Sequence, residues 1–169
     1  MRGEIMFQLL LRENHIKLAL KPSKNKEDIF HDLLTVDGLK HFSQKEKDQF
    51  VKLLMGRELL GTTAVGDQTA LPHAFCKDLL EPLVILGVSS EGVDFGSLDG
   101  DLVYIFFLVL LPDSAEGRNL KKSLLHGALA FFSDRFIRQL LRQVQSGDEA
   151  LEIIRREAGL SIEAAVAGK

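Results

Sequence analysis

The chain has 169 residues, of which 46% are hydrophobic and 27% charged, with a formal net charge of −3. These proportions describe a globular chain with apolar material for a well-buried core and exclude an intrinsically disordered one. Both signs of charge are interspersed, so no basic stripe marks a nucleic-acid partner, and the single cysteine, Cys76, excludes an intramolecular disulfide and suits a reducing, cytoplasmic compartment.

The first apolar stretch is broken by Gln8 and Arg12, too early for a secretion signal. His15 to Leu20 alternates polar and apolar residues as a half-buried strand does, and Pro22 ends it. Ile29, Leu33 and Val36 recur at helical spacing. Ser43 and Glu46 have capping-box spacing, followed by a helix with Phe50, Leu53 and Leu54 on one face; it runs close to Arg57 and stops before Gly61. From Gly61 to Ala74 the pattern is turn or loop, with Thr69 to Pro72 as a short extended piece.

Pro82 to Val88 and Leu102 to Leu111 read as two further strands, joined by a polar, glycine-containing loop from Ser89 to Asp101. The second run is about half the length a membrane-spanning helix needs, so it predicts a buried strand and no membrane insertion. Asp113 with Glu116 is positioned to cap a helix whose stripe is Leu120, Leu124 and Ala128. Ser133 is positioned to cap another (Phe136, Ile137, Leu140, Leu141, Val144), and Ser146 with Glu149 a last one (Leu151, Ile154). Residues 161–169 lack a buried pattern and are expected to fray. The order predicts an α/β (α+β) chain over residues 1–169, a single domain with a mixed sheet of about five strands flanked by helices.

Of the histidines, His15, His31 and His41 read as surface residues and His126 as part of an amphipathic helix. His73 differs, because it follows Pro72 after a Gly/Thr-rich loop and an arginine at a helix end. A neutral imidazole is a nucleophile titrating near pH 7, which suits a phosphoryl acceptor. The phosphorylated ring then needs donors that stay charged, and the Arg57 guanidinium fork supplies them. The Thr62 and Thr63 hydroxyls and the backbone amides around Gly66 could supply more. On spacing alone the segment reads equally well as a structural loop with an incidental histidine. A His73–Cys76 nucleophile pair lacks any orienting partner, and a metal site lacks a second Cys/His cluster, so neither metal nor cofactor is expected.

The segment Arg57-Glu58, Gly61-Thr62-Thr63-Ala64-Val65-Gly66 and Ala70-Leu71-Pro72-His73-Ala74 resembles the signature of enzyme IIA domains of the bacterial phosphotransferase system, fructose/mannitol class, which include the nitrogen-regulatory enzyme IIA. A second block agrees, in Glu91-Gly92-Val93-Asp94-Phe95, Leu98-Asp99-Gly100 and Leu111-Pro112, and the resemblance spans roughly residues 5 to 158. It implies a phosphohistidine at Nε2 of His73, with Arg57 beside it. The phosphoryl group would come from HPr or an HPr-like protein and pass to an enzyme IIB, or would set which regulated target protein is bound. A non-phosphorylated interaction module is the further alternative. Three positions depart from the family pattern: Asn119 stands where the family has a second histidine, and Ala64 and Gln68 replace glycines at points where positive φ would be favoured.

Overall fold

The structure, a computed structural model, describes Phe7 and residues 10–167, from residue 160 onward as backbone only. Its centre is the antiparallel pair β5 (Leu83–Val93) and β6 (Val103–Pro112), in register from Leu83↔Leu110 to Val88↔Ile105. β6 is apolar on both faces because both are covered. Phe106, Leu108 and Leu110 enter one buried cluster, and Ile105, Phe107, Val109 and Leu111 the other.

On the first face lie α1 (Lys26–Leu33) and α2 (Gln44–Glu58). On the second lie α3 (Ala115–Phe132), α4 (Arg135–Leu141) and α5 (Gly147–Ala167). The result is a sheet between two helical layers, as the apolar periodicities imply. Among the described residues no helix is long and apolar enough to cross a membrane.

The remaining strands are short. β1 (Ile16–Lys17) runs parallel to β5, β2 (Ala64–Gly66) is antiparallel to β3 (Thr69–Ala70), and both β3 and β4 (His73–Cys76) run parallel to β6. β3 and β4 occupy one edge of β6 in succession, Thr69 and Ala70 against Ile105 and Phe106, then His73 to Cys76 against Val109 to Pro112. They form one strand interrupted at Leu71-Pro72, so the six segments fill five positions in the sheet. Pro72 has no N–H for the ladder, although its carbonyl still accepts from the Val109 amide at 2.9 Å.

Several boundaries differ from the sequence expectation. The strand expected from His15 to Leu20 has ladder register only at Ile16 and Lys17, because Ala19 takes φ 51° and interrupts it, although the Leu20 amide still donates to the Val88 carbonyl of β5 at 3.0 Å. His15 ends a 3₁₀ turn instead, half-buried with its Nδ1 3.1 Å from the Val84 carbonyl, so it is not a surface residue. Val36 lies beyond α1 but is buried.

The expected loop from Ser89 begins as a continuation of β5 to Val93, past a bulge between Val88 and Val93. Within the segment from Gly61 to Ala74, the extended piece expected at Thr69 to Pro72 holds β3, while the part expected as turn or loop also contains β2 and the start of β4. Ser114, not Asp113, caps α3 by accepting from the Gly117 amide, and Asp113 pairs with Arg118 at 2.7 Å. Asp134 caps α4, while the Ser133 hydroxyl donates back to the Ala130 carbonyl. α5 continues as helix to Ala167, across most of the segment expected to fray; residues 168 and 169 lie outside the described residues. The Ser43–Glu46 capping box forms as its spacing requires.

Candidate functional site

The α2 helix presents Arg57 in its last turn, where a cation complements the helix dipole. The chain then crosses exposed Leu59 and Leu60 to Gly61, and the Arg57 Nη1 donates to the Gly61 carbonyl at 3.0 Å. This bond folds the guanidinium back over the helix end and aims its Nε at the edge strand. There it donates to Nε2 of His73 at 3.2 Å.

His73 opens β4 with 7% of its surface exposed. Its Nδ1 lies 2.8 Å from the Leu71 carbonyl, which can only accept, so Nδ1 carries the proton. The neutral ring therefore leaves an in-plane lone pair on Nε2, facing the guanidinium. Burial holds the imidazole pKa below its ordinary value. The Arg57 and Lys121 charges push the same way, while the Leu71 carbonyl and Glu58 oppose them. The site thus favours a neutral, nucleophilic ring at physiological pH.

The threonines take other roles. The Thr63 hydroxyl donates to Glu58 Oε2 at 2.7 Å and its amide to Glu58 Oε1 at 3.0 Å. Glu58, itself buried, also pairs with Lys26 at 2.7 Å, and the Lys26 ammonium sits over the Phe95 ring. This network ties the end of α2 to the start of β2 and to α1, and so holds Arg57 where it is. Thr62 is likewise turned inward, accepting from the Ala64 amide at 3.2 Å.

Gly66, at φ 106°, faces the Asp99 carboxylate, which accepts from the adjacent Asp67 amide at 3.1 Å. The Asp67 amide thus already holds an anion. Asn119 is exposed on α3, and no hydrogen bond among the described residues involves its side chain. Of the residues singled out from sequence, the structure therefore joins His73 and Arg57 and keeps the hydroxyls of Thr62 and Thr63 and the turn at Gly66 on other partners.

Three residues escaped the sequence reading. Glu58 and Lys26 form the bracing pair, signalled only by the Arg57-Glu58 dipeptide. Lys121 projects its charge on His73 from a helix whose cation spacing looks like ordinary surface. The pairing of His73 with Cys76 is removed by geometry. Residues three apart on a strand point to opposite faces, and Cys76 is buried in the α1/α2 cluster. Gln68 does take positive φ, at 60°, as the glycine it replaces would favour, whereas Ala64 lies in β2.

Residues 9–157 match the family model for the phosphoenolpyruvate-dependent sugar phosphotransferase system, EIIA 2. The chain is 28% identical over 149 residues to the PTS system fructose-specific EIIABC component of Bacillus subtilis, covering 86% of this chain and 22% of that protein. It is 34% identical over 103 residues to the nitrogen regulatory protein of Bradyrhizobium diazoefficiens, covering 61% of this chain and 65% of that one. The solved structure of nitrogen regulatory protein IIA-Ntr from Neisseria meningitidis superposes with a TM-score of 0.72 at 26% identity, covering 88% of this chain and 99% of that chain. The chain thus spans about a fifth and about two thirds of the lengths of those two curated relatives. It belongs to the EIIA 2 family of the sugar phosphotransferase system.

Proposed function

We propose that this EIIA-family chain is a phosphocarrier in which Nε2 of His73 accepts a phosphoryl group from HPr or an HPr-like protein and passes it to an enzyme IIB. The observation that carries the reading is the paired constraint on the ring: the Leu71 carbonyl holds the proton on Nδ1, and Arg57 lies against the bare Nε2. In the transfer, the Nε2 lone pair forms the N–P bond while the donor–phosphorus bond breaks and its electron pair returns to the donor. No proton need leave the ring. The Arg57 Nε must release Nε2 as phosphorus arrives, and its fork then takes the phosphoryl oxygens, which concentrate the developing charge. No cofactor enters the step.

Exposed Leu59 and Leu60, at 83% and 84%, flank this corner beside an almost buried ring. They suit a partner that docks before the group moves, and a relay between such partners is cytoplasmic. Identity to the Bradyrhizobium nitrogen regulatory protein favours a second reading, in which phosphorylation at the same ring changes which target protein is bound.

Incubation with phosphoenolpyruvate, enzyme I and HPr is expected to add one acid-labile phosphoryl group, and His73→Ala to abolish it. Label on that variant would move the site elsewhere. No label on the wild type with a cognate donor would leave a non-phosphorylated interaction module. Onward transfer to a IIB cysteine separates carrier from regulator.

A further inference from the structure

We infer that Lys121, in the second turn of α3, is a second cation of the acceptor site, positioned to neutralise the phosphoryl oxygens that Arg57 alone leaves uncompensated. The inference rests on the His73 acceptor reading and deepens it. Its geometry begins on β4, where His73 and Phe75 are opposite Val109 and Leu111 of β6 and so share the face that α3 covers. Two residues along a strand separate them by about 7 Å. The Lys121 ammonium lies 5.7 Å from the Phe75 ring centroid, and the Arg118 guanidinium lies 5.8 Å from the same ring.

Spaced three apart, Arg118 and Lys121 share one side of α3. Asn119 sits roughly 200° around the helix from Lys121. The position that the sequence pattern matches to the family's second histidine therefore does not point where Lys121 points. The two cations also differ in commitment. Arg118 is held by Asp113 at 2.7 Å, whereas Lys121 makes no ion pair among the described residues. A flexible four-carbon stem lets its ammonium move from the aromatic ring to an anion arriving next door.

Charge counting requires such a group. A phosphoryl group carries nearly two negative charges at neutral pH, and Arg57 supplies one positive charge with Nη1 already bonded to the Gly61 carbonyl. Glu58 also acts on the ring, but its charge is matched by Lys26 at 2.7 Å and leaves the count unchanged. The Lys121 charge already acts on unphosphorylated His73 in the same sense as Arg57.

The test compares Lys121→Met, which keeps the apolar stem over Phe75, with Lys121→Arg, which keeps the charge. Three quantities are read: the His73 titration by NMR, the lifetime of phospho-His73 freed of HPr, and the rate of phosphorylation by phospho-HPr. The Met variant is expected to titrate closer to the ordinary imidazole value, to change the lifetime severalfold and to accept the group about tenfold more slowly. The Arg variant restores all three, and the melting temperature stays put in both. A Met variant that matches wild type in titration and lifetime overturns the inference, including the case where only KM for HPr rises, which would make Lys121 a docking residue. If Lys121→Met is silent while His73→Ala abolishes labelling, the acceptor reading stands and this inference falls. An unlabelled wild type fells both.

Discussion

Arg57 and Glu58 are adjacent in sequence and do opposite jobs, and substitutions should separate them. Arg57→Ala removes one of the charges that hold the His73 ring neutral, so its pKa rises toward the ordinary value of about 6.5. The fold is expected to survive, since among the described residues the guanidinium bonds only to Gly61 and His73, while phosphorylation slows by about a hundredfold for want of the fork. Circular dichroism alongside the labelling rate checks this, and loss of the native spectrum would make Arg57 structural. Glu58→Ala behaves differently. It leaves two Thr63 donors unpaired at a buried position and frees the partly exposed Lys26 ammonium, which costs about 2 kcal/mol and lowers the melting temperature by roughly 6 °C. An unchanged melting temperature would show that the network braces nothing.

At the scale of elements, the turn of the β2–β3 hairpin and the start of α3 are set by backbone constraints. The β2–β3 hairpin turns on Asp67 at φ 51° and Gln68 at φ 60°, a pair of positive values that suits the right-handed twist of the flanking strands. Aspartate tolerates that region; glutamine does so at a cost of about 1 kcal/mol. Gln68→Gly is expected to raise the unfolding free energy by about 0.5 kcal/mol, because relieved strain exceeds the added chain entropy. The denaturant midpoint reads the sign, and a fall would mean that the glutamine side chain contributes more than the strain it imposes. Gly117 presents the converse case. A Cβ there would clash with the Pro112 carbonyl oxygen, so the first turn of α3 rests directly on the end of β6. Gly117→Ala should force the helix outward at about 1–3 kcal/mol, and should weaken the Lys121 influence on His73 in the same NMR titration.

Across the whole molecule, legibility followed burial. The double-faced apolar run of β6, the capping box at Ser43 and the amphipathic helices were readable because their periods report which faces are covered. β2 was hidden, since a three-residue strand at a sheet edge has no period to detect, while β1 and β3 were legible as extended pieces but not in their lengths, because Ala19 breaks one without any glycine to announce it. The site divided the same way. His73 and Arg57 stood out by motif, but Thr63, Gly66 and Lys121 are assigned by partners that only the tertiary fold supplies.

The same burial has a global consequence. His73 and half-buried His15 both have pKa values pushed below the ordinary one, chiefly by desolvation. The unfolded chain therefore binds more protons than the folded one as pH falls below about 6.5. Their contribution to stability is fully present above that pH and is lost as pH drops toward the folded values, by at most about 1.4 kcal/mol per unit for His73 and less for His15. Asp37, Glu46 and Asp99, with lowered pKa values, lose stability only at more acid pH, and Glu13, raised chiefly by its bond to Asp148, works the other way near its own range. In the interval from about pH 6.5 to 5 the lowered pKa values of the two histidines act to reduce stability. Denaturant unfolding across it should show stability falling for the wild type and a flatter profile for the His15→Gln, His73→Gln double variant. An equally steep profile in that variant would place the titrating groups elsewhere.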